Sequence, residues 1–334
     1  MITTWWPGKG AIDNSHAKPA CWHDRAVDKL PVVSREQAGQ LVRAFRPGLR
    51  LLRLWPLAGG VSSQVTGIEV QRADGACCTL VLRQYGAANV AAVPHLADAE
   101  YRLLTLLSAA GLPVPRPCLA DESGAIVPGS CLLTEYIDGE RVHQPADLPS
   151  FTRHLGAALA AVHDCGLARA DVPFLPDAGD RVLDELGTGP PVADGVVPET
   201  AIRKALQASW PPPQVSEPVV LHGDYWPGNV LWRGARLVGV IDWEEAAFGD
   251  PMADLANIRL EITWHFGTAA MDMLTAEYLT RRHAAGTATL PAWDLCAALR
   301  ACEFPLESLP LPAEKIASMR AAHRDFAAAA MRQL

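Results

Sequence analysis

Val219-Val-Leu-His222-Gly223-Asp224-Tyr225-Trp226-Pro227-Gly228-Asn229-Val-Leu-Trp232 leads, after residues 233–236, into Leu237-Val-Gly-Val-Ile-Asp242-Trp243-Glu244. Three short apolar runs, 219–221, 230–232 and 237–241, are spaced as buried strands. Gly234 lies in the break between the last two, which marks the tight connection of a hairpin. The polar residues Asp224, Asn229 and Asp242 therefore fall at strand ends or on a loop. A rigid scaffold can aim side chains at one point from such positions.

That pattern suits phosphoryl transfer, whose transition state carries diffuse negative charge. The protein mainly has to position groups and neutralise that charge. One carboxylate must orient the attacking hydroxyl and take its proton, a role expected for Asp224. A neutral oxygen and a second carboxylate can hold Mg2+, a hard cation that prefers oxygen ligands, and Asn229 and Asp242 are the candidates. Any one of the three alone would more often cap a turn. Protein kinases divide the same work between a loop H-R-D-x-x-x-x-N and a later D-F-G. Here Gly223 replaces the Arg, and the later motif is Asp242-Trp243-Glu244, followed by Phe248-Gly249-Asp250-Pro251-Met-Ala-Asp254-Leu255.

With His222-Gly-Asp224-x-x-x-x-Asn229, Ile241-Asp-Trp-Glu244 and Gly249-Asp-Pro-x-x-Asp254, the chain resembles the aminoglycoside phosphotransferase and choline kinase family over roughly residues 51–260. The resemblance implies an α+β, two-lobed, protein-kinase-like fold. Its N-lobe would be a five-stranded antiparallel sheet and its C-lobe mainly helical. It implies ATP or GTP as phosphate donor with Mg2+, and a small-molecule hydroxyl as acceptor. It further implies that His222 braces the loop and that Asp254 anchors it.

Composition sets the bounds. The chain has 334 residues, enough for two lobes and a sizeable core, and a formal net charge of −8. That charge disfavours non-specific binding to nucleic acid or an anionic membrane. No run of apolar residues is long enough for a membrane span, and the start lacks a signal-peptide core. The 8 cysteines include the adjacent pair Cys77 and Cys78 but no C-x-x-C, so reduced thiols and a cytoplasmic location are expected. Oligomeric state is not legible.

Residues 1–48 read as an extension and a helix, 49–137 as the nucleotide-binding lobe and 138–334 as the catalytic lobe. Trp5, Trp6 and Trp22 are expected to pack, and Cys21 with His23 is too small a set for a metal site. Ser34-Arg-Glu-Gln37 is a capping box that should open a helix to about Phe45. Strands are expected at 51–57, 65–71, 79–84, 114–119 and 129–136, and a helix at 98–109. Asp74-Gly75 marks a hairpin. The turn Gly59-Gly60-Val61-Ser62-Ser63 would let backbone N–H groups approach phosphates, with Gly60, Ser62 and Ser63 as the contacts. Arg83 stands where the family commonly has Lys. It is expected to hold phosphate and to pair with Glu100, although Arg and Lys are not equivalent. Backbone groups of Glu135 and Ile137 would meet the adenine edge.

Helices are expected at 148–165, 181–186, 199–209, 253–266, 269–282, 292–304 and 313–334. His163 is read as structural. Between 241 and 280 stand eight acids, Asp242, Glu244, Glu245, Asp250, Asp254, Glu261, Asp272 and Glu277, against the single base Arg259. Trp226, Glu244 and Glu245 are the acceptor candidates, and the acidic excess favours an aminoglycoside-like or other amine-bearing acceptor. Asn229, where some macrolide kinases have His, points away from macrolides. The alternatives are a kinase of a primary metabolite such as homoserine, a choline-like amine or a sugar, and a nucleotide-binding protein without turnover.

Overall fold

The computed structural model describes residues 30–57, 63–187, 197–282, 286–302, 306, 309 and 311–334. The chain forms two compact units, divided between Asp138 and Gly139. The expected nucleotide contacts Gly60 and Ser62 lie outside the described residues, as do the N-terminal tryptophans, Cys21 and His23.

The first unit opens on α1 (Arg35–Phe45). Ser34 Oγ accepts from the Gln37 N–H at 3.2 Å, and Gln37 Oε1 accepts from the Ser34 N–H at 2.9 Å, which completes the capping box. Five antiparallel strands follow: β1 (Arg50–Pro56), β2 (Ser63–Gln71), β3 (Cys77–Tyr85), β4 (Pro117–Asp121) and β5 (Ser130–Glu135). Their spatial order is β1-β2-β3-β5-β4. Asp74 accepts from the Ala76 N–H at 2.9 Å and shapes the β2–β3 turn, where Gly75 takes φ +85°. Along β3 burial alternates. Leu80 and Leu82 enter a core with Leu41, Val42, Ile68, Val70 and Leu133, while Val81, Arg83 and Tyr85 occupy the other face. Each fully buried aliphatic side chain there contributes about 2 kcal/mol. Two helices follow β3: α2 (Ala87–Ala92), which the sequence pattern did not suggest, and α3 (Leu96–Ala109).

The second unit is mainly helical. Its helices are α4 (Leu148–His163), α5 (Ala178–Gly187), α6 (Glu199–Ser209), α7 (Met252–Phe266), α8 (Thr268–Arg281), α9 (Leu290–Cys302) and α10 (Ala313–Met331). Two small ribbons interrupt them: β6 (Val219–Leu221) with β9 (Ala247–Gly249), and β7 (Val230–Arg233) with β8 (Arg236–Val240). Helix α7 is the pillar. Leu255, Ile258, Leu260 and Ile262 are buried among α8, α9 and α10. Arg259 donates two hydrogen bonds of 3.1 Å to Asp294 and one of 2.8 Å to Thr275, which ties α7, α9 and α8 together. Among the described residues no helix is long and apolar enough to cross a membrane, and Cys77, Cys78, Cys118, Cys131, Cys165, Cys296 and Cys302 are free thiols.

Candidate functional site

Strand β6 ends at Leu221, and the next three peptide groups are pinned by side chains. The N–H groups of His222 and Gly223 donate to the two oxygens of Asp254 at 2.7 and 2.9 Å. The Asp224 N–H donates to His222 Nδ1 at 3.2 Å. Nε2 of His222 therefore carries the ring proton and donates it to the Ile241 carbonyl at 3.0 Å. Asn229, at the end of a single 3-10 turn (Pro227–Asn229), donates from Nδ2 to the Asp224 carbonyl at 3.0 Å and to its carboxylate at 3.1 Å. The Ile241 N–H returns to the Asn229 carbonyl at 2.9 Å, so Asp242 emerges next to a residue fastened to both His222 and Asn229. The structure thus joins Asn229 to Asp224 by side-chain hydrogen bonds and sets Asp242 directly after Ile241, whose backbone is tied to both His222 and Asn229.

The local backbone explains the glycines and the acid. Gly223 has φ +81°, and a Cβ on it would lie 1.8 Å from the Glu245 carbonyl oxygen. No side chain fits there, which accounts for Gly where protein-kinase loops carry Arg. Gly228 lies under the Trp226 ring, where a Cβ would come within 2.1 Å. Asp242 holds φ +72°, and Asp is among the few residues that tolerate this left-handed region.

Asp254, on the first turn of α7, is the hub. It also accepts from His163 Nε2 at 3.2 Å, and the Tyr278 hydroxyl lies 2.7 Å from His163 Nδ1. Burial works to raise the Asp254 pKa, but the bonds from His163 and the His222 N–H outweigh it and hold the carboxyl below its ordinary value. Burial lowers the pKa of His163, so its ring is neutral and donates to the carboxylate while accepting from Tyr278. His163 is part of the framework, as its sequence context suggested.

Part of the acidic stretch is engaged within the fold. Glu245 is paired with Arg300, Glu277 with Arg281 at 2.7 Å, and Glu261 lies 3.7 Å from His265. Asp250 accepts from the Met252 N–H at 2.9 Å at the start of α7. Of the acceptor candidates, Trp226 and Glu244 are half-buried, and Glu245 already serves Arg300. Sequence reasoning missed the two arginines that hold this region. Arg181 on α5 donates to the carbonyls of Glu245 (2.6 Å) and Ala246 (3.2 Å), and Arg300 on α9 donates to the Gly223 carbonyl at 2.9 Å. Their distance along the chain, with no motif of their own, left no signal.

In the first unit Arg83 Nη1 lies 3.7 Å from Glu100 Oε2, an ion pair without the short bidentate geometry that Arg can offer. The short bond to Glu100 comes instead from the Tyr85 hydroxyl at 2.6 Å. Tyr85 is two residues beyond Arg83 on the same strand face, a period-2 relation legible in the sequence. Ser63 is buried at the start of β2, opposite Tyr85. The Glu135 N–H already donates to the Arg116 carbonyl at 2.8 Å, and Ile137 follows β5 half-buried.

The oxygens around Asp224 suit a hard divalent cation. Because Asn229 Nδ2 is committed to Asp224, its amide oxygen is the atom left for a cation, and Asp242 adds a carboxylate. Among the described residues no three His, Cys, Asp or Glu side chains gather into a metal cage. Mg2+ needs none, since it commonly keeps waters and takes further oxygens from substrate phosphates.

A sequence model of the phosphotransferase enzyme family matches residues 54–299. Acyl-CoA dehydrogenase family member 11 of Rattus norvegicus is 25% identical over 253 residues, 66% of this chain and 32% of that protein. The chain spans less than a third of the length of this relative and of its mouse counterpart. Hygromycin-B 4-O-kinase of Escherichia coli is 40% identical over 78 residues, 23% of this chain and 22% of that one. A solved thermostable mutant of aminoglycoside phosphotransferase APH(4)-Ia, in ternary complex with AMP-PNP and hygromycin B, matches with a TM-score of 0.60 at 20% identity, over 89% of this chain and 98% of that one. This likeness establishes the protein-kinase-like α+β fold.

Proposed function

The chain belongs to the phosphotransferase enzyme family, and we propose that it transfers the γ-phosphate of ATP or GTP to a hydroxyl of a small molecule. The observation that supports this reading is the hydrogen bonding of Asn229 and His222 to Asp224, with Asp242 directly after Ile241, whose backbone is tied to His222 and Asn229. Asp224 orients the acceptor hydroxyl and takes its proton as the O–P bond forms. Asn229, through its amide oxygen, and Asp242 would hold Mg2+, which when bound neutralises charge on the phosphates. Arg83, steadied by Glu100 and through it by Tyr85, binds phosphate. Ser63, with Gly60 and Ser62, covers the phosphates, and backbone groups of Glu135 and Ile137 meet the base.

For the acceptor, the acids from Asp242 onward and the kinship with a hygromycin-B kinase favour an amine-bearing polyol. Primary metabolites, namely homoserine, choline-like amines and sugars, are the alternative class. The test is transfer of labelled γ-phosphate from ATP and from GTP, with Mg2+, to a panel spanning both classes. Asp224→Ala should abolish transfer and leave nucleotide affinity within about twofold, since the base acts on the acceptor. Parallel loss of nucleotide binding would assign Asp224 to the fold instead. Binding without turnover on any acceptor would favour the non-catalytic reading, for which Arg83 in place of Lys is the one sequence observation.

A further inference from the structure

The peptide linking Gly223 to Asp224 is held at both edges. Its N–H donates to His222 Nδ1 at 3.2 Å, and its carbonyl accepts from Arg300 Nη1 at 2.9 Å. The rigid trans plane places these groups on opposite sides, so two anchors fix its rotation. The first anchor is local to the loop. The second comes from α9, 77 residues later. The other end of the same guanidinium meets the Glu245 carboxylate, and the Glu245 carbonyl sits against Gly223. Arg300 and Glu245 are each about a quarter exposed, so the pair is partly shielded from water. Arg181 fastens the Glu245 carbonyl from α5.

We infer that Arg300 is a positioning residue for Asp224, and that Glu245 acts through it. This rests on the reading of Asp224 as the group that orients the acceptor hydroxyl. A planar fork can hold a carbonyl with one nitrogen and a carboxylate with another at fixed separation. With Arg300 removed, the peptide loses the anchor on its carbonyl, and Asp224 is positioned by the local contacts from His222 and Asn229 without the tie to α9. Misplacement on the scale of 1 Å costs about 10²-fold in rate. Glu245 then orients a neighbouring arginine, and its negative charge is not offered to a cationic acceptor.

Two measurements on the full chain test this. Amide hydrogen exchange over 219–229 reads the loop directly and needs no turnover. In Arg300→Ala, the amides of Gly223 and Asp224 should exchange at least about tenfold faster, as expected when a restraining contact is lost. The kcat for phosphate transfer should fall about 30–100-fold, with nucleotide affinity within twofold. Free guanidinium added to this variant should restore part of both. Arg300→Lys keeps the charge but not the fork, and it should show the same losses to a smaller degree. It also serves if the Ala variant does not fold. Glu245→Gln should lose kcat in the wild-type background and nothing further when Arg300 is already Ala.

Unchanged exchange in a folded Arg300 variant overturns the inference, whether or not the protein transfers phosphate. A wild-type protein that transfers none fails the functional reading alone. Faster exchange with equal loss of nucleotide affinity, and no response to guanidinium, would show a general role in the fold and also overturn it.

Discussion

Gly223→Ala puts a methyl group 1.8 Å from a carbonyl oxygen, on a backbone already at φ +81°. The left-handed conformation costs an L-residue about 1–2 kcal/mol, and the clash is with the Glu245 carbonyl that Arg181 holds in place. We expect a loss of about 2–4 kcal/mol in a denaturant titration, and a value under 1 kcal/mol would contradict the geometry. At Asp242 the same reasoning separates backbone from charge. Asn tolerates φ +72° and Ala does not, so Asp242→Asn should keep the melting temperature while losing the metal-dependent part of the rate. Asp242→Ala should lose both, and similar melting curves for the two would argue against strain at this position. Asp224, Asn229 and Asp242 were legible as candidates because their chemistry and spacing are written in one stretch of sequence. Arg300 and Arg181 were not. Their role comes from which carbonyl they reach, and arginines on helices otherwise look like surface charge.

Strand β3 and helix α3 meet through Glu100, whose side chain is about 5% exposed and accepts from Tyr85 at 2.6 Å. A buried carboxylate deprived of a hydroxyl donor loses about 1–3 kcal/mol. Tyr85→Phe should therefore lower stability by that amount and weaken nucleotide binding through Arg83, measured by thermal unfolding and by titration with a nucleotide analogue. Unchanged values for both would show that Arg83 alone suffices for Glu100. Elements bounded by strong signals were readable: the capping box set the start of α1, and Pro and Gly set off α6 and β6. Two were not. Helix α2 is six residues long and lacks a side-chain cap. Strand β9 is three residues, Ala247–Gly249, and exists because β6 lies beside it. Strand β4 was expected at 114–119 and lies at Pro117–Asp121, where register with β5 outweighs the apolar run at Val114.

Across the molecule, among the described residues, burial lowers three histidines and raises the carboxyl of Asp294, and these groups bias its response to acid in opposite directions. His163 is fully buried and its pKa is lowered by that burial. Burial lowers His323 to about 4 and, with Arg141 and His265 nearby, His143 to about 4. In the unfolded chain each titrates near 6.5, so between pH 6.5 and 4 the unfolded state binds more protons and stability falls as pH falls. Asp294 works the other way. Burial raises it to about 6 despite Arg259, so on acidification its folded form takes up a proton first and gains stability. Asp254, held low, contributes stability that is lost only below the ordinary carboxylate range, under about pH 4. From pH 7 to 5, at about 1.4 kcal/mol per unit, His143 and His323 each cost about 2 kcal/mol and Asp294 returns about 1.4 kcal/mol, a loss of about 3 kcal/mol to which His163 adds in the same direction. His323→Gln isolates one contributor, because Gln can still donate to the Ala298 carbonyl that His323 Nε2 meets at 2.8 Å but does not titrate. The fall in melting temperature between pH 7 and 5 should shrink in this variant, because one of the histidines whose protonation the fold opposes is gone. A pH slope identical to the wild type would mean that His323 takes its proton in the folded state as readily as in the unfolded one.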